Sequence, residues 1–436
     1  MTDVIKSLFG MIAGPVLLII GLFLMQYLFF WMAFDFGLIL AIIIGLTPIW
    51  LPIVMFKLAY EAWISYVRLG FAISNGRTTL RIKLPQEVLK SPQAMESVIS
   101  QIHNPNGSDN PYQGWVDGKT PLIFSFELVS IGGQVRFYVN VPKKKTKNAI
   151  EAQLYAQYPG IEVVEEVIDY TAEIPWDPEN FEYMSFRITK KDDQEFPIKT
   201  YIDLGLDKMP KEEEKIEPMA PMLEQLAMAQ PHERIWVQIL CKPHAKKSFK
   251  TGDLGESPTW EKKVFAKIDE MLGRTPGKKT GPADFEEQPK LTSGERDAIA
   301  AMERNAGKYA YETAIRWMYI TEKGKFNGDF IGPMIRSFSE YDILNRNGLG
   351  VRWRTDFDYN IFSDPTGKKK LAMKKKELEH YKLRKYSADG DVDKAKIMTA
   401  EELATIFHIP GRAVITNSLD RMTSNRSDAP ANLPIG

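Results

Sequence analysis

The chain has 436 residues, enough for roughly two or three domains of ordinary size. Lysine plus arginine and aspartate plus glutamate balance at 56 each, so no global electrostatic pull toward nucleic acid or acidic surfaces follows. The single cysteine, Cys241, excludes a disulfide framework within the chain and argues against a cysteine-based metal site.

Residues 11–56 are almost wholly apolar, with Asp35 the only charge among them. As one helix the run would be on the order of 70 Å long at ~1.5 Å per residue, against a hydrocarbon core ~30 Å thick. It is therefore expected to fold back at Asp35-Phe36-Gly37 into two membrane spans, 11–34 and 36–56. The run is far too long for the apolar core of a signal peptide and has no convincing cleavage site. Pro48 and Pro52 predict a kink in the second span. A transporter would need more spans or intramembrane charges.

Lys6 precedes the first span, while Lys57, Arg68, Arg77, Arg81 and Lys83 follow the second. The positive-inside rule then predicts an inner-membrane protein with both termini and the soluble domains in the cytoplasm. Lys57, Tyr60, Trp63, Tyr66 and Arg68 suit the membrane interface, with the bilayer as partner. The second helix is expected to continue past them and break near Ser74-Asn75-Gly76.

After Gly76 strands and helices alternate. "TTLRIKLP" (78–85) alternates as a strand, and "SPQAMESVISQIH" (91–103) is a helix with Ser91 as cap and Pro92 at its first position. A loop rich in Gly, Pro, Asn and Asp follows. "LIFSFELVS" and "QVRFYVNVP" flank Ile131-Gly132-Gly133 as a hairpin. A helix over 144–159 and a strand over 161–167 complete the order β-α-β-β-α-β, that of a ferredoxin-like unit.

The second part repeats this texture less cleanly. Strands are predicted over 181–189, 233–243 and 309–323, with helices over 220–230, 259–272, 293–306 and about 330–344. Thr292 and Glu295 have capping-box spacing. The fold class is thus α+β: a two-helix transmembrane hairpin, a ferredoxin-like (βαββαβ) domain and a second α+β domain. The boundaries are 1–73 for the hairpin and interfacial helix, then 76–171 and 172–349. An irregular region over 350–398 and a helix with an extended tail over 399–436 complete the chain. Within 350–398, residues 368–386 form a basic helix. A solvated charged helix is the plain reading. The sharper one is contact of Lys368, Lys369, Lys370, Lys374, Lys375 and Lys376 with anionic lipid or an acidic partner.

Motifs for chemistry are scarce. "GWVDGKT" (114–120) resembles a phosphate-binding loop but has three residues between its glycines where four are required. It also follows a polar loop and precedes a strand, whereas a P-loop joins a buried strand to a helix. "GRTPGKKT" (273–280) fails on spacing as well. Cys241 and His244 have C-x-x-H spacing without a second pair, and His103, His232, His380 and His408 are scattered. No cofactor, metal or catalytic residue is assigned. In "VRFYVNV" the adjacent rings Phe137 and Tyr138 point to opposite faces, one to the core and one outside, which argues against an RNA-stacking sheet and direct nucleic-acid binding.

The phrases "LIFSFELVSIGGQVRFYVNVP", "IEAQLYAQYPGIEVVEEVIDY", "LTSGERDAIAAMERNAGKYAYETAIRWMYI" and "MTAEELATIFHIPG…APANLP" resemble the membrane-proximal region of HerA-like ATPases. These are type IV secretion or conjugation ATPases of candidate phyla radiation bacteria. The resemblance covers most of 76–436 and includes no ATPase domain, so no catalytic residue carries over. It implies a non-enzymatic inner-membrane anchor or adaptor that docks a separate HerA-like ATPase. HerA-like motors are typically hexameric, so a homo-oligomer is an implied partner. The alternative is a membrane-anchored binding module for a peptide, lipid or nucleic acid.

Overall fold

The structure is a computed structural model that describes residues 21, 24–25, 27, 36–85, 90–144, 146–208, 216–274, 291–355, 364–385, 395–411 and 419–421. It divides into two units, 1–66 and 67–436.

The first expected span lies mostly outside the described residues. The second apolar run does not form a span. It is split at Leu46 between α1 (Phe36–Gly45) and α2 (Thr47–Asn75). α1 is too short to cross a bilayer. α2 is long enough, but Pro48, Pro52, Lys57, Glu61 and Arg68 dilute its hydropathy. Among the described residues no helix is long and apolar enough to cross a membrane, which overturns the N-terminal transmembrane hairpin. Phe36 and Gly37, placed in the expected turn, are helical. α2 does end at Asn75, where Gly76 takes a positive φ of 63° and turns the chain into the first strand.

The second unit is built on one antiparallel sheet. Its first four strands are β1 (Arg77–Lys83), β2 (Phe124–Ile131), β3 (Gln134–Pro142) and β4 (Glu162–Glu166). Helix α3 (Gln93–Gln101) follows β1, short α4 (Pro111–Trp115) precedes β2, and α5 (Thr146–Gln157) joins β3 to β4. The next four strands are β5 (Phe181–Lys190), β6 (Glu233–Pro243), β7 (Ala310–Glu322) and β8 (Leu349–Arg354). Helix α6 (Ala220–Ala227) lies between β5 and β6. α7 (Trp260–Met271) and α8 (Ser293–Ala306) lie between β6 and β7, and α9 (Ile331–Arg336) follows β7.

The spatial order is β4-β1-β3-β2-β6-β7-β5-β8. Read outward from the centre, each half gives the second, third, first and fourth strand of its own run. The two halves are therefore topological copies, each βαββαβ, joined edge to edge where β2 pairs antiparallel with β6 from Phe124↔Cys241 to Ile131↔Arg234. The separate first and second domains expected from sequence are halves of one continuous sheet.

Strand alternation sends Phe126 and Leu128 of β2, Phe137 and Val139 of β3, Val237 and Ile239 of β6, and Ile315 and Trp317 of β7 to one face. There they meet apolar residues of α3, α5, α6 and α9, including Val98, Leu154, Leu223 and Met334. Two elements complete this layer, a strand at the end of the region read from sequence as irregular and the short helix expected after it. β9 (Lys396–Thr399) pairs with β7 at Ala310–Thr313, on the side of β7 that β5 occupies from Ile315 onward. α11 (Ala400–Ile406) then buries Leu403 and Ile406, and Phe407 stacks on Phe126 at 4.7 Å. Glu402 caps α11 through the Thr399 backbone N–H at 2.9 Å and meets Lys190 at 2.7 Å, both side chains fully buried.

The opposite face carries Tyr138, Trp236 and Met318, covered by Tyr170 and by α10 (Lys368–Lys382) through Leu378 and Tyr381. Phe137 and Tyr138 do point to opposite faces, yet both rings are buried because α10 encloses the second face. A row of polar residues crosses the sheet beneath it in register: Arg81, Tyr138, Glu127, Gln238, Arg316 and Arg187. The end of α10 is tied to this row. Arg384 donates from Nε and Nη2 to the two Glu127 oxygens at 3.0 Å each, and its Nη2 lies 2.8 Å from Asp169 Oδ2. Ser125 at 2.6 Å, Tyr170 at 2.7 Å and Gln238 at 2.9 Å also donate to Glu127, and Arg187 pairs with Glu377. Burial alone would raise the Glu127 carboxyl, but the Arg384 charge and these hydrogen bonds hold it below its ordinary range.

Such a pair is costly to break from one side only. Glu127→Gln and Arg384→Met should each destabilise the fold by about 3–5 kcal/mol. The double variant Glu127→Leu/Arg384→Met should lose clearly less than the sum of the two, as measured by denaturant unfolding in a double-mutant cycle.

Candidate functional site

The two copies differ most at one connection. In the first, β2 and β3 are joined by the Gly132-Gly133 turn, with φ of 57° and 86°. In the second, β6 and β7 are separated by residues 244–309, which carry α7 and α8. These helices pack through Trp260, Val264, Ile268 and Met302 into a small core that also takes in Ala310 of β7 and Ile397 of β9. A capping box starts α8, with Thr292 N–H donating to Glu295 at 2.7 Å. Because β2 and β6 are antiparallel, this insertion emerges beside the loop that leads into β2. Two clefts form there.

The first, of about 210 Å³, is lined by His103, His244, Lys246, Trp260, Lys308 and Tyr309, among others. His244 follows the last residue of β6 and is almost fully buried, its side chain 7 % exposed. Nε2 has no hydrogen-bond partner, and Nδ1 has only the Glu312 carboxylate, 3.5 Å away at Oε1. His103, just past α3, has Nε2 3.2 Å from the Ala310 carbonyl and stacks on Tyr309 at 4.8 Å. Burial lowers its pKa, the Ala310 carbonyl opposes that, and the nearby His244 adds to the lowering.

The second cleft shares Lys246 with the first and is lined by five cationic side chains, Arg68, Lys119, Lys242, Lys246 and Lys247, against two carboxylates, Asp253 and Glu312. Arg68 donates from Nη2 to the Thr251 carbonyl at 3.0 Å and to Asp253 at 3.2 Å. Lys242 pairs with Glu312 at 3.2 Å. Burial would raise the Glu312 carboxyl, but His244 and Lys242 outweigh it and hold the pKa at about 2. Lys119 and Lys246 have loose outside partners, Asp109 and Glu256, each at 3.9 Å, and the charge that remains positive can hold an anion.

Lys119 and Thr120 on this cleft's wall come from GWVDGKT, whose two glycines serve packing. A Cβ on Gly114 would stand 2.3 Å from the Lys250 carbonyl oxygen, and one on Gly118, at φ +64°, 2.2 Å from that of Val67. Trp115 pins the stretch by donating from Nε1 to the Phe249 carbonyl at 2.7 Å.

Of the residues expected at a membrane interface, Lys57 lies 4.0 Å from Glu61, and the Trp63 and Tyr66 rings are 6.2 Å apart on exposed positions. Tyr60 is half-buried. Arg68 is drawn into the second cleft. The span that would have placed these residues at a bilayer is absent among the described residues. Of the six lysines of α10, Lys368, Lys369, Lys375 and Lys376 are exposed, and Lys370 and Lys374 are half-buried. The C-x-x-H pair is not assembled: Cys241 faces the core with its thiol pushed up by burial, and His244 lines the cleft. Among the described residues no group of three His, Cys, Asp or Glu could hold a metal ion. Sequence reasoning missed the meeting of His103 with His244, because only the strand order brings their segments together.

The fold and its clefts define a duplicated α+β protein built on a single antiparallel sheet. The chain belongs to the family of the domain of unknown function DUF8128, which matches residues 69–347 and so takes in β1 to β7 and, apart from Arg68, the residues that line both clefts. No curated protein matches the chain.

Two outcomes check this site. Gly118→Ala should destabilise the fold by about 2–3 kcal/mol in denaturant titration, since the added methyl meets backbone in a left-handed conformation. The low pKa of Glu312 means that its stabilising contribution is complete above the ordinary carboxyl pKa of 4.5 and fades as pH falls toward about 2. Wild type should therefore exceed Glu312→Gln in melting temperature at pH 6, with the gap closing progressively below pH 4.5.

Proposed function

We propose that the protein is a non-enzymatic adaptor that docks a HerA-like ATPase of secretion or DNA-transfer type. The reading begins from the sequence resemblance. The observation that supports it best is the fastening of the C-terminal segment to the sheet. β9 enters the sheet itself, and α11 is buried along its whole length. Two adjacent carboxylates anchor that helix: Glu402 to Lys190, and Glu401 to Arg304 at 3.0 Å and to the Thr200 hydroxyl at 2.7 Å. His408 follows, its Nε2 2.6 Å from Glu217 and its Nδ1 2.9 Å from the Ala404 carbonyl. A segment held this firmly would fix the position of a partner bound beside it. The lysine-rich face of α10, which includes Lys368 and Lys375, offers that partner a basic surface.

Co-purification tests the proposal. A tagged chain should recover the HerA-like ATPase encoded in the same genome, and reversing the charge of Lys368, Lys369, Lys375 and Lys376 should reduce recovery severalfold. Recovery of the adaptor with no ATPase would count heavily against it. A second reading, a binding module unrelated to secretion, is favoured by the two clefts and makes a different demand: a ligand, with no motor.

A further inference from the structure

We propose that the two clefts form one site for a small molecule that joins a planar, hydrogen-bonding ring to one or more phosphate groups. The inference stands apart from the adaptor reading. It starts from His244. A buried imidazole whose Nε2 is unpartnered, and whose Nδ1 has only the Glu312 carboxylate at 3.5 Å, is unusual in a native interior, where buried polar atoms are nearly always hydrogen-bonded. The cleft that His244 lines has room for a ring, and His103, Trp260 and Tyr309 supply flat surfaces. A heterocycle placed there gains stacking and brings donors and acceptors to His244.

The second half of the ligand follows from the adjoining cleft. Its cations outnumber its carboxylates, and its wall includes Lys119, Lys246 and Lys247. Lysines suit phosphate as point charges with rotatable donors. Lys246 lines both clefts, so one molecule can span from the ring cleft to the basic one. A bare ring would leave Lys247 and the loosely paired Lys119 and Lys246 without a close anion, and a bare phosphate would leave His244 Nε2 unpaired. The covalent link between ring and phosphate makes the second contact intramolecular once the first has formed.

Isothermal titration calorimetry on the full chain tests this with the four ribonucleoside monophosphates and pyridoxal phosphate as probes, beside the matching nucleosides, pyridoxal and inorganic phosphate. At least one phosphorylated ring should bind about tenfold or more tighter than either of its parts. Lys246→Glu, on a half-exposed side chain that does not threaten folding, and His244→Phe should each weaken that binding about tenfold or more. Melting temperatures establish that both variants fold, and Lys246→Glu alone decides the matter if His244→Phe does not. Equal affinity for inorganic phosphate and the best probe would overturn the proposal. So would no binding of any probe at millimolar concentration, an unchanged affinity in Lys246→Glu, or displacement of the best probe by a short single-stranded oligonucleotide at far lower concentration.

Discussion

The pairing of β2 with β6 is the contact on which the second unit depends. It runs over eight residue pairs and joins two βαββαβ runs that would otherwise each end in an open strand. An open edge presents unpaired backbone groups that invite non-native association. Here each half covers the edge of the other. The register also sets the faces. Phe126 stands opposite Ile239 and Leu128 opposite Val237, so the apolar faces of both halves form one surface without a seam. A slip by one residue would turn every one of these side chains over.

The same register builds the charged row on the far side. Glu127 of the first half lies opposite Gln238 of the second, directly at the join. A buried carboxylate there would be expensive to desolvate without compensation. The compensation arrives from outside the duplicated sheet, as Arg384 just past the end of α10 and the Tyr170 hydroxyl. The join therefore gives α10 its place, and α10 in turn buries Trp236 and Tyr138 from the two halves together. Charge complementarity here acts as an address for one helix, consistent with the view that buried ion pairs contribute to specificity of arrangement more than to net stability.

Much of this was legible in the sequence where local pattern decides. The strand over 233–243 and the helix over 293–306 emerge with the expected bounds, because a run of β-branched and aromatic residues and a Thr292–Glu295 capping box are local signals. The fusion of the halves was not legible, because β2 reads as a half-buried strand whether its neighbour is solvent or β6. β9 was passed over at the end of the region read as irregular, since its four residues only become a strand by pairing with β7, far away in sequence. The N-terminal prediction failed for another reason. Summed apolar character suggested two spans, but the break at Leu46 and the charges from Lys57 onward shorten any continuous apolar helix. At the clefts, spacing could show only scattered histidines. His103 and His244 meet because antiparallel β2 and β6 bring the loop before one strand to the end of the other.

Duplication explains where the clefts lie. Two copies of one topology produce a nearly symmetric sheet, and a symmetric structure offers no unique site. Symmetry is broken where the first copy has two glycines in a tight turn and the second has the α7–α8 insertion. The turn needs glycine because both residues hold positive φ and the Ala227 carbonyl oxygen would stand 2.8 Å from a Cβ on Gly133. That end of the sheet is closed. The opposite end is open, and the insertion folds over it with a small core shared with Ala310 and Ile397. The polar groups along the opening, from Lys119 in the first copy to His244 and Glu312 in the second, come from elements whose positions the central pairing fixes. A site assembled from both copies holds its geometry only while the join between them is intact, which ties binding at the clefts to the integrity of the whole sheet.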